Sequence, residues 1–411
     1  MNFLYNKQNL IFLLIAFSLS SLFIVILLLP NNLWYKIFIF LNIPAGGLDL
    51  ADAKSLVNYS QIYAEKGFVE VNSVDFWNRK FTGISIVWKE IAVFFKFYKP
   101  INFYIFIFVS FFIYIFSFLK IAFINNKRSD FLVIIFFFFS TSSFYLIERG
   151  NFDLILFSLV TFVCFLKKKK YQLPVIFLLS FLKINLIYLF FILVRNFKTF
   201  LYYSLLATII LFINYKYIIA GYVEIGNSAS ITHYGLFTII KSALYFLYKI
   251  SAFEVNKYTN IVGVSLLIFI FLIVSYFIIK ELKKIKKKNI NLEFTLIERL
   301  FLTGSLFYIF SFISFSAPDY KLVFLALALP YLLKKKCFLE IFLIFLIMNS
   351  CIFETYPLFQ NIFEGEPRIY TDKHNTKYLL SGLLVHSLKI LIFILISRET
   401  INLYKEKINK V

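Results

Sequence analysis

Leu173–Val194 reads LPVIFLLSFLKINLIYLFFILV, an apolar run long enough to cross a membrane but interrupted at its middle by Lys183 and Asn185. A charge held in hydrocarbon costs about 2.5 to 3.5 kcal/mol on insertion scales, which disfavours one straight crossing. Two short, tilted half-spans turning at Lys183 are expected instead. Charge parity supports this reading. Lysine-rich segments stay on the cytoplasmic side, and the clusters Lys167–Lys170 and Lys280–Lys288 flank the region. An even number of crossings must separate them, yet only three apolar runs lie between, at 173–194, 200–213 and 262–279. Making 173–194 a hairpin that turns Lys183 outward repairs the count. The alternative makes Tyr234–Phe253 an extra crossing, although Lys241 and Lys249 suit that segment to an interfacial helix.

The same pattern extends along the whole chain. Of its 411 residues 61% are hydrophobic and only 16% charged, too apolar for a water-soluble domain of this length. Eleven apolar runs recur from Ile11–Leu29 to Leu379–Ile396. With the hairpin they predict about twelve crossings of a roughly 30 Å hydrocarbon core. The expected fold class is an all-α polytopic integral membrane protein. It forms one membrane domain over 1–411 in the inner (cytoplasmic) membrane, with both termini cytoplasmic. Ile11–Leu29 is long and no small-residue cleavage site follows it, so it reads as a retained anchor. The net charge of +21 sits in lysine clusters between apolar runs, where it sets topology and contacts membrane lipids; nucleic acid is not an expected partner. Cys164, Cys337 and Cys351 are isolated from one another, which supports neither a disulfide framework nor a zinc site.

This topology gathers the polar segments on the outer side: the long first outer loop 30–100, the turn Glu148-Arg149-Gly150-Asn151, the Lys183 turn, and 221–258, 316–321 and 353–377. Ile84–Phe97 within the first loop mixes Trp88, lysines and aromatics, as a helix lying on the membrane surface does. Ionisable groups at this level are functional candidates. Glu148, Arg149, Asn151 and Asp153 crowd one short turn, where internal pairing of Glu148 with Arg149 is the simple structural reading. Asp49 and Asp52 are carboxylates suited to taking a proton from an attacking alcohol. Arg79, Arg149, Lys183 and Lys321 are cations suited to a phosphate, or to anchoring in headgroups. His233, His374 and His386 have no acidic or thiol neighbour at metal-ligand spacing, and no Gly-rich nucleotide loop is present. No metal or other cofactor is expected.

The order of these elements resembles glycosyltransferase family 87. The matching segments are Asp52-Ala53-Lys54 through Gly67, Asn78-Arg79-Lys80-Phe81, Trp88, Arg149-Gly150-Asn151 with Asp153, Lys183, and Asp319-Tyr320-Lys321-Leu322. The likeness covers roughly 45–335. Leu186 stands where the family usually has proline, Lys321 where it often has arginine, and Gly83-Ile84 where it has Tyr-Pro. The resemblance implies a GT-C-like fold over 1–335, with 336–411 as further C-terminal membrane helices. It implies transfer of a mannose-like hexose from a polyprenyl-phosphate sugar donor to a lipid or glycan acceptor. It favours Asp52 over Asp49 as the general base, and makes Arg149, Lys183 and either Lys321 or Arg79 the neutralisers of the phosphate. Glu148, Asn151 and Asp153 would position the sugar or hold the cations, with Asp319 and Tyr320 on the substrate side. A transporter or flippase of a lipid-linked sugar, or a polymerase of lipid-linked glycans, would use the same outer cations.

Overall fold

The computed structural model describes residues 7–29, 33–41, 43, 50–71, 75–76, 79–80, 86–213, 233–234, 293–314, 317–350 and 376–409. Helices make up nearly all of it. Three segments are long and apolar enough to cross a membrane: one in α1 (Lys7–Leu28), one in α5 (Pro100–Ala122) and one in the helix Leu296–Ser314. A fourth arises if the bent pair α6 (Arg128–Phe138) and α7 (Thr141–Arg149) counts as one span. Their outward faces carry exposed Leu14, Phe17, Ile105 and Phe136, which only hydrocarbon accommodates well. The chain is an all-α, membrane-embedded protein.

The described residues supply fewer crossings than the twelve expected. Apolar runs at 152–166, 200–213 and 338–347 form shorter helices, α8 (Asp153–Phe165), α10 (Phe197–Ile213) and Phe338–Met348, and the run at 262–279 lies outside the described residues. The run 131–147, expected to be one crossing, is bent by 49° between α6 and α7. Ser140 to Ser143 explain the bend, because short hydroxyl side chains compete for backbone groups and favour caps over helix interiors. Ser140 Oγ accepts from the Ser143 N–H at 3.3 Å. Thr141 is held at the break, its N–H by Asn349 Oδ1 at 3.1 Å and its hydroxyl by the Met348 carbonyl at 3.0 Å.

The stretch 30–100, expected to be a long loop, carries regular elements among its described residues. It holds α2 (Leu33–Phe40), α3 (Ala51–Val71), a two-residue ladder of β1 (Asp75–Phe76) with β2 (Arg79–Lys80), and α4 (Ile86–Phe94). α4 does not lie wholly on a surface: Trp88 and Lys89 are buried, while Phe94 remains exposed. Lys89 sits 5.1 Å above the Tyr59 ring of α3, a cation–π contact that joins the two helices.

At Lys183 the expected interruption is present. α9 (Lys169–Leu182) stops where Lys183 becomes extended, and a 3-10 helix follows over Ile184–Leu193. The second arm is thus a 3-10 helix, which sequence periodicity does not separate from an α-helix. Lys169 Nζ donates to the Leu193 carbonyl and joins the two far ends, so the arms form a closed hairpin with Lys183 at its tip. At the Lys169 end the Leu166 carbonyl accepts from Gln172 Nε2 at 2.7 Å and Arg299 Nη1 at 3.0 Å. Lys183 and the Lys167–Lys170 cluster therefore occupy opposite ends of one hairpin.

A second 3-10 helix, Asp319–Ala328, runs through the core with Leu322 to Ala328 fully buried. It lies against Gly304, where a Cβ would stand 2.7 Å from the Phe324 carbonyl; no side chain fits there. Just before it, Ala317–Pro318 pairs antiparallel with His233–Tyr234. At the Leu296 end the C-terminal helix Thr376–Asn409 is tied down by Lys407–Glu298 at 2.7 Å, Lys335–Glu406 at 2.6 Å and Arg398–Glu340 at 3.0 Å.

Candidate functional site

α7 ends on Gly150, the left-handed cap with φ +57° that lets the chain reverse into α8. Gly150 is also required by contact. A Cβ there would lie 2.9 Å from Leu50 Cδ2 and 3.2 Å from Ala53 Cβ, so the start of α3 rests directly on this glycine. Leu50 is itself left-handed, with φ +52°, a conformation costly for a branched side chain. Its N–H donates to the Glu148 carbonyl at 3.1 Å, which holds it in place. We expect Gly150→Ala to cost at least about 1–2 kcal/mol from the left-handed backbone alone, with the Leu50 clash added. Thermal unfolding in detergent measures this, and an unchanged midpoint would mean that Leu50 simply moves aside.

This docking carries Asp52, in the first turn of α3, onto the turn after α7. Arg149 Nη2 donates to Asp52 Oδ1, and Asn151 Nδ2 donates to Asp52 Oδ2. Both carboxylate oxygens are engaged, and the α3 N-terminus further favours a negative charge there. Asn151 works in two directions, since its Oδ1 accepts the Asp153 N–H at 2.9 Å and starts α8. Asp153 is fully buried, and its Oδ1 takes the ammonium of Lys183 from the hairpin tip. Its Oδ2 is buried with no hydrogen-bond partner among the described residues. Trp88 of α4 stacks on Phe152, with ring centroids 4.7 Å apart and planes 21° apart, and walls this turn on one side.

Lys321 enters from the second 3-10 helix, just ahead of the apolar residues from Leu322 onward. It lies within electrostatic reach of Lys183, Asp153 and Asp52. Among the described residues it makes no ion pair or hydrogen bond, whereas Arg149 and Lys183 each face a carboxylate. Burial pushes its ammonium down to about 7; Lys183 adds to that shift, and Asp153 and Asp52 oppose it.

Asp52, Arg149, Asn151, Asp153, Lys183 and Lys321 thus come together from four separate stretches of sequence. Glu148 is buried beside them, its backbone holding Leu50. Arg79 is placed by its backbone, which pairs with Phe76; Asp319 and Tyr320 open the second 3-10 helix immediately before Lys321. Asp49 lies outside the described residues. Sequence reasoning missed the pairing of His233–Tyr234 with Ala317–Pro318, which brings these two residues just ahead of the 3-10 helix that carries Lys321. No motif announces it, since two-residue ladders are backbone contacts. Among the described residues no three His, Cys, Asp or Glu side chains are arranged to hold a metal ion.

Fold and site together define a helical membrane protein with a charged cluster of Asp52, Asp153, Arg149, Lys183 and Lys321, flanked by the buried Glu148. Neither a family model, nor a curated protein, nor a solved structure matches the chain.

Proposed function

We propose that the protein is a membrane glycosyltransferase that moves a hexose from a polyprenyl-phosphate sugar to a lipid or glycan acceptor. The reaction takes place on the outer face of the cytoplasmic membrane, with about twelve crossings and both termini inside. The observation that carries this reading is the convergence of a carboxylate, Asp52, with three cations at the Lys183 end of the hairpin, opposite the Lys167–Lys170 cluster. Asp52 acts as general base on the acceptor hydroxyl, which attacks the anomeric carbon as the lipid phosphate leaves. Lys321, with no carboxylate of its own among the described residues, meets the donor phosphate first, and Arg149 and Lys183 stand beside it. Asn151 holds the Asp52 carboxylate in position, and Asp153 holds Lys183.

The test supplies labelled polyprenyl-phosphate hexoses and candidate lipid or glycan acceptors to the purified protein in nanodiscs, and follows label into the acceptor. Movement of intact donor across the bilayer without transfer would favour a flippase instead.

The state of Lys321 sets an expected pH dependence. An anion binds well only while the ammonium is protonated, so donor affinity is expected to weaken as pH rises through about 7, far below the range of an ordinary lysine. Bound phosphate favours the protonated form and moves this loss to higher pH. Lys321→Arg, always charged, is expected to flatten the profile between pH 6 and 9. Titration of donor binding across that range decides it, and identical profiles for the two proteins would exclude Lys321 as the group responsible.

A further inference from the structure

The cluster contains two ion pairs that differ in what the reaction would do to them. In the first, Lys183 serves Asp153, which is fully buried, so withdrawing the lysine would leave a carboxylate unpaired inside the protein. In the second, Arg149 serves Asp52, and both are partly exposed, at 27% and 20% of their side chains. Only the second pair contains the group assigned as the base.

Resting on the transfer reaction proposed above, the geometry points to Arg149 as a shared counter-ion that passes from Asp52 to the leaving phosphate during the reaction. The charges balance at each step. Before transfer, Asp52 is a carboxylate and the donor is a phosphodiester with one negative charge. The acceptor oxygen bonds to the anomeric carbon and its proton goes to Asp52. The bond from that carbon to the phosphate oxygen breaks, and its electron pair stays on the phosphate. Afterwards Asp52 is neutral and the polyprenyl phosphate carries two negative charges. The total is unchanged; one charge has moved from Asp52 to the phosphate. The charge that Arg149 faces on Asp52 is lost at the moment the phosphate gains one. A guanidinium suits this task, because it keeps its proton at any working pH and offers five N–H donors in a rigid fork, so it changes partners without changing state. Lys321 meets the charge the donor brings, Arg149 the charge that the chemistry creates. Without donor, the same contact keeps Asp52 engaged.

The experiment measures binding of farnesyl phosphate, a short polyprenyl monophosphate, to the full chain in nanodiscs at pH 8. If Asp52 and the phosphate compete for Arg149, Asp52→Asn binds it at least tenfold more tightly than the wild type. Arg149→Gln weakens binding, and the double variant Asp52→Asn/Arg149→Gln shows none of the gain. Equal affinity in wild type and Asp52→Asn overturns the hand-off, as does a gain that persists in the double variant, which would then be a field effect and not Arg149. Neither result touches the transfer reading. That reading fails separately, if the wild type transfers no hexose from any polyprenyl-phosphate donor, and absence of farnesyl phosphate binding to every variant overturns both.

Discussion

Asp52→Asn is expected to lower hexose transfer by about 10²- to 10⁴-fold, the usual contribution of a positioned general base. The substitution keeps the shape of the side chain and its place in the first turn of α3, where Leu50 and Ala53 rest on Gly150. It removes the atom that would receive the acceptor proton. Its amide also cannot accept from Arg149 and Asn151 at once, so one of the two contacts at Asp52 weakens. Donor affinity should survive, because Lys321 and Lys183 are untouched. Initial rates and donor binding measured on the same preparation separate the two effects. A variant with full transfer activity would remove Asp52 from the chemistry.

Lys183→Met is expected to give the largest loss of stability, about 3–5 kcal/mol, the cost of stripping the partner from a buried charge. Asp153 has no solvent exposure, and one of its oxygens is already without a partner among the described residues. Methionine fits the space of the lysine stem but offers no proton, so Asp153 must either unfold the start of α8 or take up a proton itself. The double variant Lys183→Met/Asp153→Asn removes both charges and should recover most of the loss. Thermal unfolding of the three proteins in one detergent tests this. Equal stability of the wild type and Lys183→Met would show that the hairpin tip holds its place through apolar packing alone.

Local breaks in the apolar pattern were legible in the sequence, but long-range pairings were only partly so. Lys183 stood out because a charge amid hydrocarbon residues has few explanations, and the hairpin turns there. Arg149, Gly150 and Asn151 stood out because a polar cluster between two apolar runs exceeds what a turn needs. Their partner did not: Asp52 lies 97 residues before Arg149, and nothing in composition shows that α3 docks there. The resemblance put the two in one site and assigned them separate tasks, but it did not indicate that they bind each other. Segment 50–71 read as loop because its charges of both signs mask the apolar face of α3, formed by Leu50, Ala53 and Leu56. The bend at Ser140 was hidden for the opposite reason, since four small hydroxyl residues hardly lower the hydropathy of the run around them.

The flat stack of Trp88 on Phe152 has a use beyond packing. Phe152 sits between Asn151 and Asp153, so any shift of that turn changes the surroundings of the indole. Tryptophan is rare in this chain, with three in all. Trp34 is sealed in the core and stacked on Phe111, which leaves its emission a steady background. In a Trp77→Phe background, Trp88 is thus an optical reporter built into the wall of the charged cluster, read without any label.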